Sequence, residues 1–200
     1  MILLGHNGAG KSTLINYLLG FYPNDKSHPY LNALTKDVPV LDMSNIGYAP
    51  EAALLDGGLT ANDYFTLLAK SKKIKVCDVD AELAKVALKV DKNQKIKKYS
   101  KGMKQRLLLS LALFGTPSTV ILDEPTSGLD PFGRAEIEGY LLSLRGMTKF
   151  IISTHSLEFA YRFEDEIWIL KEGEIMYRGR PNSFEELEQL FWANKPEKSA

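Results

Sequence analysis

The chain has little of what disulfide-stapled scaffolds and membrane spans are built from. Its single cysteine, Cys77, excludes an intramolecular disulfide and a cysteine-rich zinc site. The longest apolar run, Leu107–Phe114, is interrupted by Ser110 and falls far short of the ~20 residues that cross a bilayer. Excess charge is missing too. Lys+Arg and Asp+Glu are 25 each, so bulk charge gives no ground for binding nucleic acid or anionic lipid. No cleavable leader is visible, because Lys11 follows a very short apolar start. Repeats, heptads and low-complexity tracts are also lacking. Two hundred residues make one ordinary domain, which buries roughly 70% of its unfolded surface without staples. The expectation is a soluble domain that does any membrane work through a partner.

Short buried-type runs alternate with helical ones. "STVILD" (118–123), "KFIIS" (149–153) and "EIWIL" (166–170) are continuous and β-branched or aromatic, as strands covered on both faces are. Between them, "KSTLINYLL" (11–19), "KQRLLLSLALF" (104–114) and "FGRAEIEGYLLSL" (132–144) read as helices. This alternation predicts an α/β fold with a mostly parallel sheet flanked by helices. From about Thr60 to Phe114 the pattern is helical without a convincing strand, which predicts an inserted helical sub-lobe. Asn62 or Asp63, and Asp78 or Asp80, are candidate N-caps there. The lysines between Lys89 and Lys101 read as a solvated face rather than an anion site. "ILKEGEIMYRG" (169–179) predicts a hairpin turning at Glu172-Gly173, and "SFEELEQLFW" (183–192) a closing helix.

Four segments carry chemistry. "GHNGAGKS", Gly5–Ser12, fits G-x-x-x-x-G-K-[ST] between a strand ("ILL") and a helix. Its glycines let backbone N–H groups approach phosphate oxygens, with the positive end of the helix beneath the anion. Lys11 can then reach the β- and γ-phosphates, and the Ser12 hydroxyl can ligate Mg²⁺. In "TVILDEPTSGLD", a buried strand ends in Asp123 and Glu124, at the edge where open α/β sheets bind ligands. Asp123 suits the outer sphere of an ion held by Ser12. Glu124 suits the polarisation of an attacking water. "IISTHS" sets His155 just past a third strand, where an imidazole can bond the γ-phosphate or the water. "YSKGMKQR" places Ser100 and Gly102 before a helix, a second and weaker anion site. Without further context it is an N-cap followed by an amphipathic helix.

In this order, the segments resemble the ATP-binding cassette (ABC) family. Gly5–Ser12 looks like its Walker A, Tyr99–Met103 its signature, Thr119–Glu124 its Walker B, Ser127–Asp130 its D-loop and His155 its switch histidine. "IGYAPE" before "LTANDYF", together with "SKGMKQR", is most similar to the ATPases of ABC-2-type exporters. The resemblance implies one P-loop NTPase domain over residues 1–200, with a core of 1–58 and 116–200 and a helical subdomain over about 59–115. It implies ATP and Mg²⁺ as cofactors and ATP hydrolysis coupled to transport, most similar to export. Asn7, Gly8, Ala9, Gly10, Lys11, Ser12 and Thr13 would bind the nucleotide, Glu124 and His155 would be catalytic, and Ser12, Asp123 and Glu51 would serve the metal. Ser100 and Gly102 would act in trans on a second ABC ATPase subunit, identical or not, with Asp130 in the D-loop between them. The remaining implied partner is a transmembrane permease, which holds the cassette at the inner face of the membrane. No nucleic acid is expected.

Three departures stand out. Glu51 takes the place of the family's usual Gln, and a carboxylate still ligates Mg²⁺. Lys101 and Met103 replace a Gly and a Gln of the signature. Family members carry a segment before the phosphate loop, with an antiparallel sub-sheet and an adenine-stacking aromatic residue. Here that sub-sheet is expected to be reduced or absent, leaving Ile2–Leu4 a central strand with part of its covering layer missing. Two other readings compete. A non-transport ABC ATPase working on ribosomes or DNA normally has two cassettes or a long coiled coil, and this sequence shows neither. A degenerate regulatory module without turnover sits poorly with Glu124 and His155.

Overall fold

The computed structural model describes residues 1–21, 41, 45–52 and 54–194. Positions 22–40 of the expected 1–58 core segment, and 195–200 at the other end, lie outside the described residues. Two compact units form, Met1–Ser44 with Phe150–Ala200, and Asn45–Lys149.

The first unit grows from β1 (Ile2–Leu4), three aliphatic residues with no exposed surface. β1 lies between β4 (Lys149–Thr154) and β5 (Ile167–Lys171) and pairs with both in parallel, Leu4 opposite Thr154 on one side and Ile169 on the other. The expected central strand is therefore present. Its expected missing cover is not: side chains that point to opposite faces are all fully buried. β5 turns through Glu172 and Gly173, both at positive φ (51° and 83°), into the antiparallel β6 (Glu174–Gly179). Two successive left-handed residues are what a tight two-residue hairpin needs. α1 (Lys11–Leu18), α6 (Leu157–Arg162) and α7 (Phe184–Ala193) complete this unit. Ser156 and Ser183 cap the last two through hydroxyls that accept the amides of Phe159 and Glu186, each at 3.2 Å.

The second unit has the parallel pair β2 (Ile46–Ala49) and β3 (Thr119–Asp123), with Ala49 opposite Leu122. Its helices are α2 (Ala61–Ser71), α3 (Val79–Lys85), α4 (Lys101–Leu113) and α5 (Pro131–Ser143), with a 3₁₀ turn at Ile96–Lys98. Between β2 and β3 the described residues hold helices and no strand. The lysines from Lys89 to Lys101 are exposed or half-exposed, on loop, on the 3₁₀ turn and, for Lys101, at the start of α4. Of the candidate caps, Asp78 caps α3, but neither Asn62 nor Asp63 caps α2. Thr60 does, in a reciprocal capping box with Asp63 at the third helical position. The Asp63 carboxyl is held below its usual range mainly by its hydrogen bonds from Thr60. α4 begins three residues before the expected start, because Ser100 caps it.

Pairing is thus mostly parallel, with helices between strands and one antiparallel hairpin: an α/β fold. No helix among the described residues is long and apolar enough to cross a membrane.

Candidate functional site

The loop from Gly5 to Gly10 joins β1 to α1, whose first turn holds Lys11, Ser12 and Thr13. A Cβ on Gly5 would lie 2.7 Å from the Leu170 carbonyl oxygen of β5, so the chain can leave the sheet here only as glycine. Gly8 and Gly10 have φ of 81° and 100°, a region that L side chains enter with strain. A Cβ on Gly10 would also press to 3.2 Å from the Gly173 Cα of the hairpin. Gly10→Ala is expected to destabilise the protein by about 1–2 kcal/mol, read as a lower urea midpoint. An unshifted midpoint would show that the loop relaxes out of this conformation.

Lys11, 6% exposed, donates from Nζ to the carbonyl of Gly5 at 2.7 Å and to that of His6 at 3.3 Å. A buried ammonium folded onto carbonyl dipoles at a helix N-terminus is an anion receptor in waiting, the dipoles standing in for anionic oxygens. Ser12 is exposed at the first turn of α1, and Thr13 half-exposed. Beside them runs a cleft of about 840 Å³, lined by Gly8, Gly10, Thr13, Lys171–Glu174 and Met176. Asn7 is exposed on the loop and Ala9 is buried beneath it. The hairpin braces the loop directly, since the Gly173 amide donates to the Ala9 carbonyl at 3.0 Å.

His155 belongs to the same edge. β1 and β4 are parallel and end in register at Leu4 and Thr154, so Gly5 and His155 leave neighbouring strands at one level. The His155 side chain is exposed. The buried Thr154 hydroxyl accepts the Ser156 amide at 3.1 Å and fixes the turn after it.

In the second unit β3 is buried along its whole length, and Asp123 and Glu124 at its end are 5% and 6% exposed. Glu124 sits at φ 47°, and its carbonyl accepts the Gln105 side-chain amide at 3.5 Å and the Ser127 amide at 3.0 Å. Strained backbone of this kind costs of order 1–3 kcal/mol and clusters at functional positions. β2 ends in register with β3, so Glu51, two residues past Ala49, leaves the pair at the same edge as Asp123. Glu51 itself is exposed. Tyr48 on β2 has its phenol pushed up by burial and by the Asp123 charge.

Ser100 and Gly102 open α4. The Ser100 hydroxyl accepts the Met103 amide at 3.2 Å, while the Met103 sulfur accepts the Ser100 amide at 3.4 Å. Met103 thereby closes a capping box with sulfur in place of the usual carboxamide. A Cβ on Gly102 would meet the Leu129 side chain at 3.2 Å and the Gly128 carbonyl oxygen at 3.7 Å, so this glycine packs against Ser127–Asp130. Asp130 accepts the Gly133 amide at 2.8 Å and caps α5. Removing this cap with Asp130→Ala should cost about 1 kcal/mol and Asp130→Asn little, read by thermal unfolding. Equal losses in the two would point to the charge rather than the cap.

Sequence reasoning missed Gln105 under Glu124 and the hairpin wall of the cleft. The turn itself was legible at Glu172-Gly173; nothing in the pattern says that it packs on the loop.

The glycine cradle, the buried lysine, the Ser12 hydroxyl and a cleft of this size fit a nucleotide polyphosphate with its Mg²⁺. The sequence matches the ABC transporter family over residues 1–127. It is 35% identical over 191 residues to the uncharacterized ABC transporter ATP-binding protein YxlF of Bacillus subtilis, covering 94% of this chain and 63% of that protein. It is 33% identical over 187 residues to ATP-binding cassette sub-family A member 17 of Rattus norvegicus, and 33% identical over 185 residues to the human retinal-specific phospholipid-transporting ATPase ABCA4. The chain spans only 10% and 8% of those two proteins. A solved ATP-binding subunit of an ABC transporter matches with a TM-score of 0.73 and 25% identity, over 94% of this chain and 86% of that one. A dimeric post-hydrolysis ATP-binding cassette, MJ0796 bound to ADP and Pi, matches in fold with a TM-score of 0.72 and 23% identity, over 90% and 84%. This chain belongs to the ABC transporter family and carries its ATPase cassette.

Proposed function

We propose that the chain is the ATP-binding and ATP-hydrolysing part of a membrane transporter, and that ATP-driven dimerisation of two such cassettes drives transport, in the export direction. The observation that carries this is the phosphate loop, with Lys11 buried against its own carbonyls and His155 on the adjoining strand edge.

In this proposal the segment Asn7–Thr13, with its amides and the Lys11 ammonium, holds the phosphates of the substrate ATP. Lys11 exchanges the Gly5 and His6 carbonyls for phosphate oxygens, so its charge is already desolvated when the nucleotide arrives. Ser12 would ligate Mg²⁺, with Asp123 and Glu51 as the acids that serve it; the ion supplies neutralisation of phosphate charge. Glu124 accepts a proton from the water whose oxygen forms the new bond to the γ-phosphorus. The β,γ-bridging bond breaks, and ADP leaves with its electron pair. His155 donates to the γ-phosphate and separates the triphosphate from the diphosphate state.

Ser100 and Gly102 act on the nucleotide of a second, facing subunit, with Asp130 in the connecting loop. A transmembrane permease receives the motion through the helical subdomain (about 59–115) and keeps the cassette at the inner face of the membrane. Residues 1–200 work as one cassette with a core of 1–58 and 116–200. ATP binding is tested by titration of the purified chain with and without Mg²⁺, and turnover by phosphate release. Absence of both would refute the proposal.

A further inference from the structure

The second residue of the phosphate loop touches an element far away in sequence. The His6 ring lies 4.9 Å from that of Phe191 on α7, inclined by 40°. Phe191 is buried and meets Trp192 edge-on at 5.4 Å. Leu187, one turn back on α7, is fully buried, and the first residue, Phe184, meets Tyr161 of α6 edge-on at 5.8 Å. With Ser183 as its cap, α7 is fixed at both ends, on α6 and on the loop.

The His6 carbonyl sits where the loop's internal bonds converge. It accepts the Ala9 amide at 3.1 Å, which closes the turn through Asn7 and Gly8, and it receives Lys11 Nζ at 3.3 Å. Nothing in a G-x-x-x-x-G-K-S pattern asks for an aromatic ring at its second position, because a phosphate is held there by backbone. The imidazole instead faces α7. Asn7 and Gly8, by contrast, are exposed.

We infer that Phe191 is a positioning residue for the phosphate loop: its ring fixes His6, and through the His6 carbonyl it fixes the turn and the resting place of Lys11. The inference rests on the nucleotide-binding proposal above and deepens it, making α7 the element through which loop order, and hence ATP affinity, is set. Preorganisation is the physical link. A loop already held in its binding conformation loses less entropy when ligand arrives.

Phe191→Leu keeps an apolar side chain in the buried site and removes the ring. It should speed amide hydrogen exchange at Ala9–Ser12 without nucleotide, and weaken ATP binding about two- to tenfold, the worth of one aromatic pair. His6→Ala should weaken it to a similar degree. The double variant should be little worse than either single one, because both break the same link. Unchanged loop exchange in Phe191→Leu, or losses of affinity that simply multiply in the double variant, would overturn the inference. The exchange readout needs no nucleotide. If Phe191→Leu loosens the loop while the wild-type chain binds no ATP, the positioning stands and the nucleotide proposal fails.

Discussion

Lys11→Ala lowers ATP affinity by about 100-fold or more. Charge-assisted hydrogen bonds are worth roughly 1.5–3 kcal/mol each, and the proposed role of Lys11 gives it two, one to each of the terminal phosphates. Part of the loss comes from the loop itself. The ammonium now bonds the Gly5 and His6 carbonyls; without it the buried Gly5 oxygen loses a donor, while the His6 oxygen keeps the Ala9 amide. Lys11→Met removes the same donor but keeps an apolar stem of similar length, so it separates the lost charge from the lost packing. The affinity loss should persist in Lys11→Met, while the unfolding midpoint stays nearer to wild type than in Lys11→Ala. Calorimetric titration with ATP reads the first quantity and urea unfolding the second. Unchanged ATP affinity in both variants would remove this loop from nucleotide binding.

Glu124→Gln keeps ATP binding and slows hydrolysis by about 10²- to 10⁴-fold, the usual worth of a positioned general base. The substitution is nearly isosteric. It leaves the backbone at φ 47°, where the carbonyl accepts from Gln105 and Ser127, so those local contacts are retained. What changes is basicity, since a carboxamide cannot take a proton from water. Phosphate release under saturating ATP measures the loss, and a turnover within a few-fold of wild type would assign the proton to another group. Gln105→Ala offers a comparison. It removes the buried amide under the Glu124 carbonyl without touching the carboxylate, so its effect on turnover should be much smaller.

Both variants act on residues that were legible in the sequence, and the reason is local. The phosphate loop announces itself because glycines at positive φ, a lysine and a hydroxyl must follow one another within eight residues. Asp123-Glu124 stands out because two acids end an apolar strand whose every residue is buried. The hairpin was legible from Glu172-Gly173 for the same kind of reason. β2 was not: its four residues alternate between half-buried and buried, and Gly47 breaks the β-branched pattern. That glycine is a tertiary requirement, since a Cβ there would overlap the Ala112 carbonyl of α4. Gly102 disfavours a helix start before it, and the Met103 sulfur that completes the cap of α4 is seen only in three dimensions. Thr60 and Asp63 belong to one capping box, and the sequence alone does not say which of the two is the cap. The contact of His6 with Phe191 joins residues at opposite ends of the chain, and periodicity has no access to it.

The roles of Ser100, Gly102 and Asp130 meet one test together. In the single cassette their local tasks are structural: Ser100 caps α4, Gly102 packs on Gly128-Leu129, and Asp130 caps α5. A facing subunit would give them a second task, reading the γ-phosphate. That predicts an association that depends on ATP and persists when hydrolysis is blocked. Sedimentation of Glu124→Gln, with and without saturating ATP and Mg²⁺, measures this directly. The expected result is a monomer without nucleotide and a dimer with it; a chain that binds ATP at saturation and stays a monomer would contradict the proposed dimer mechanism.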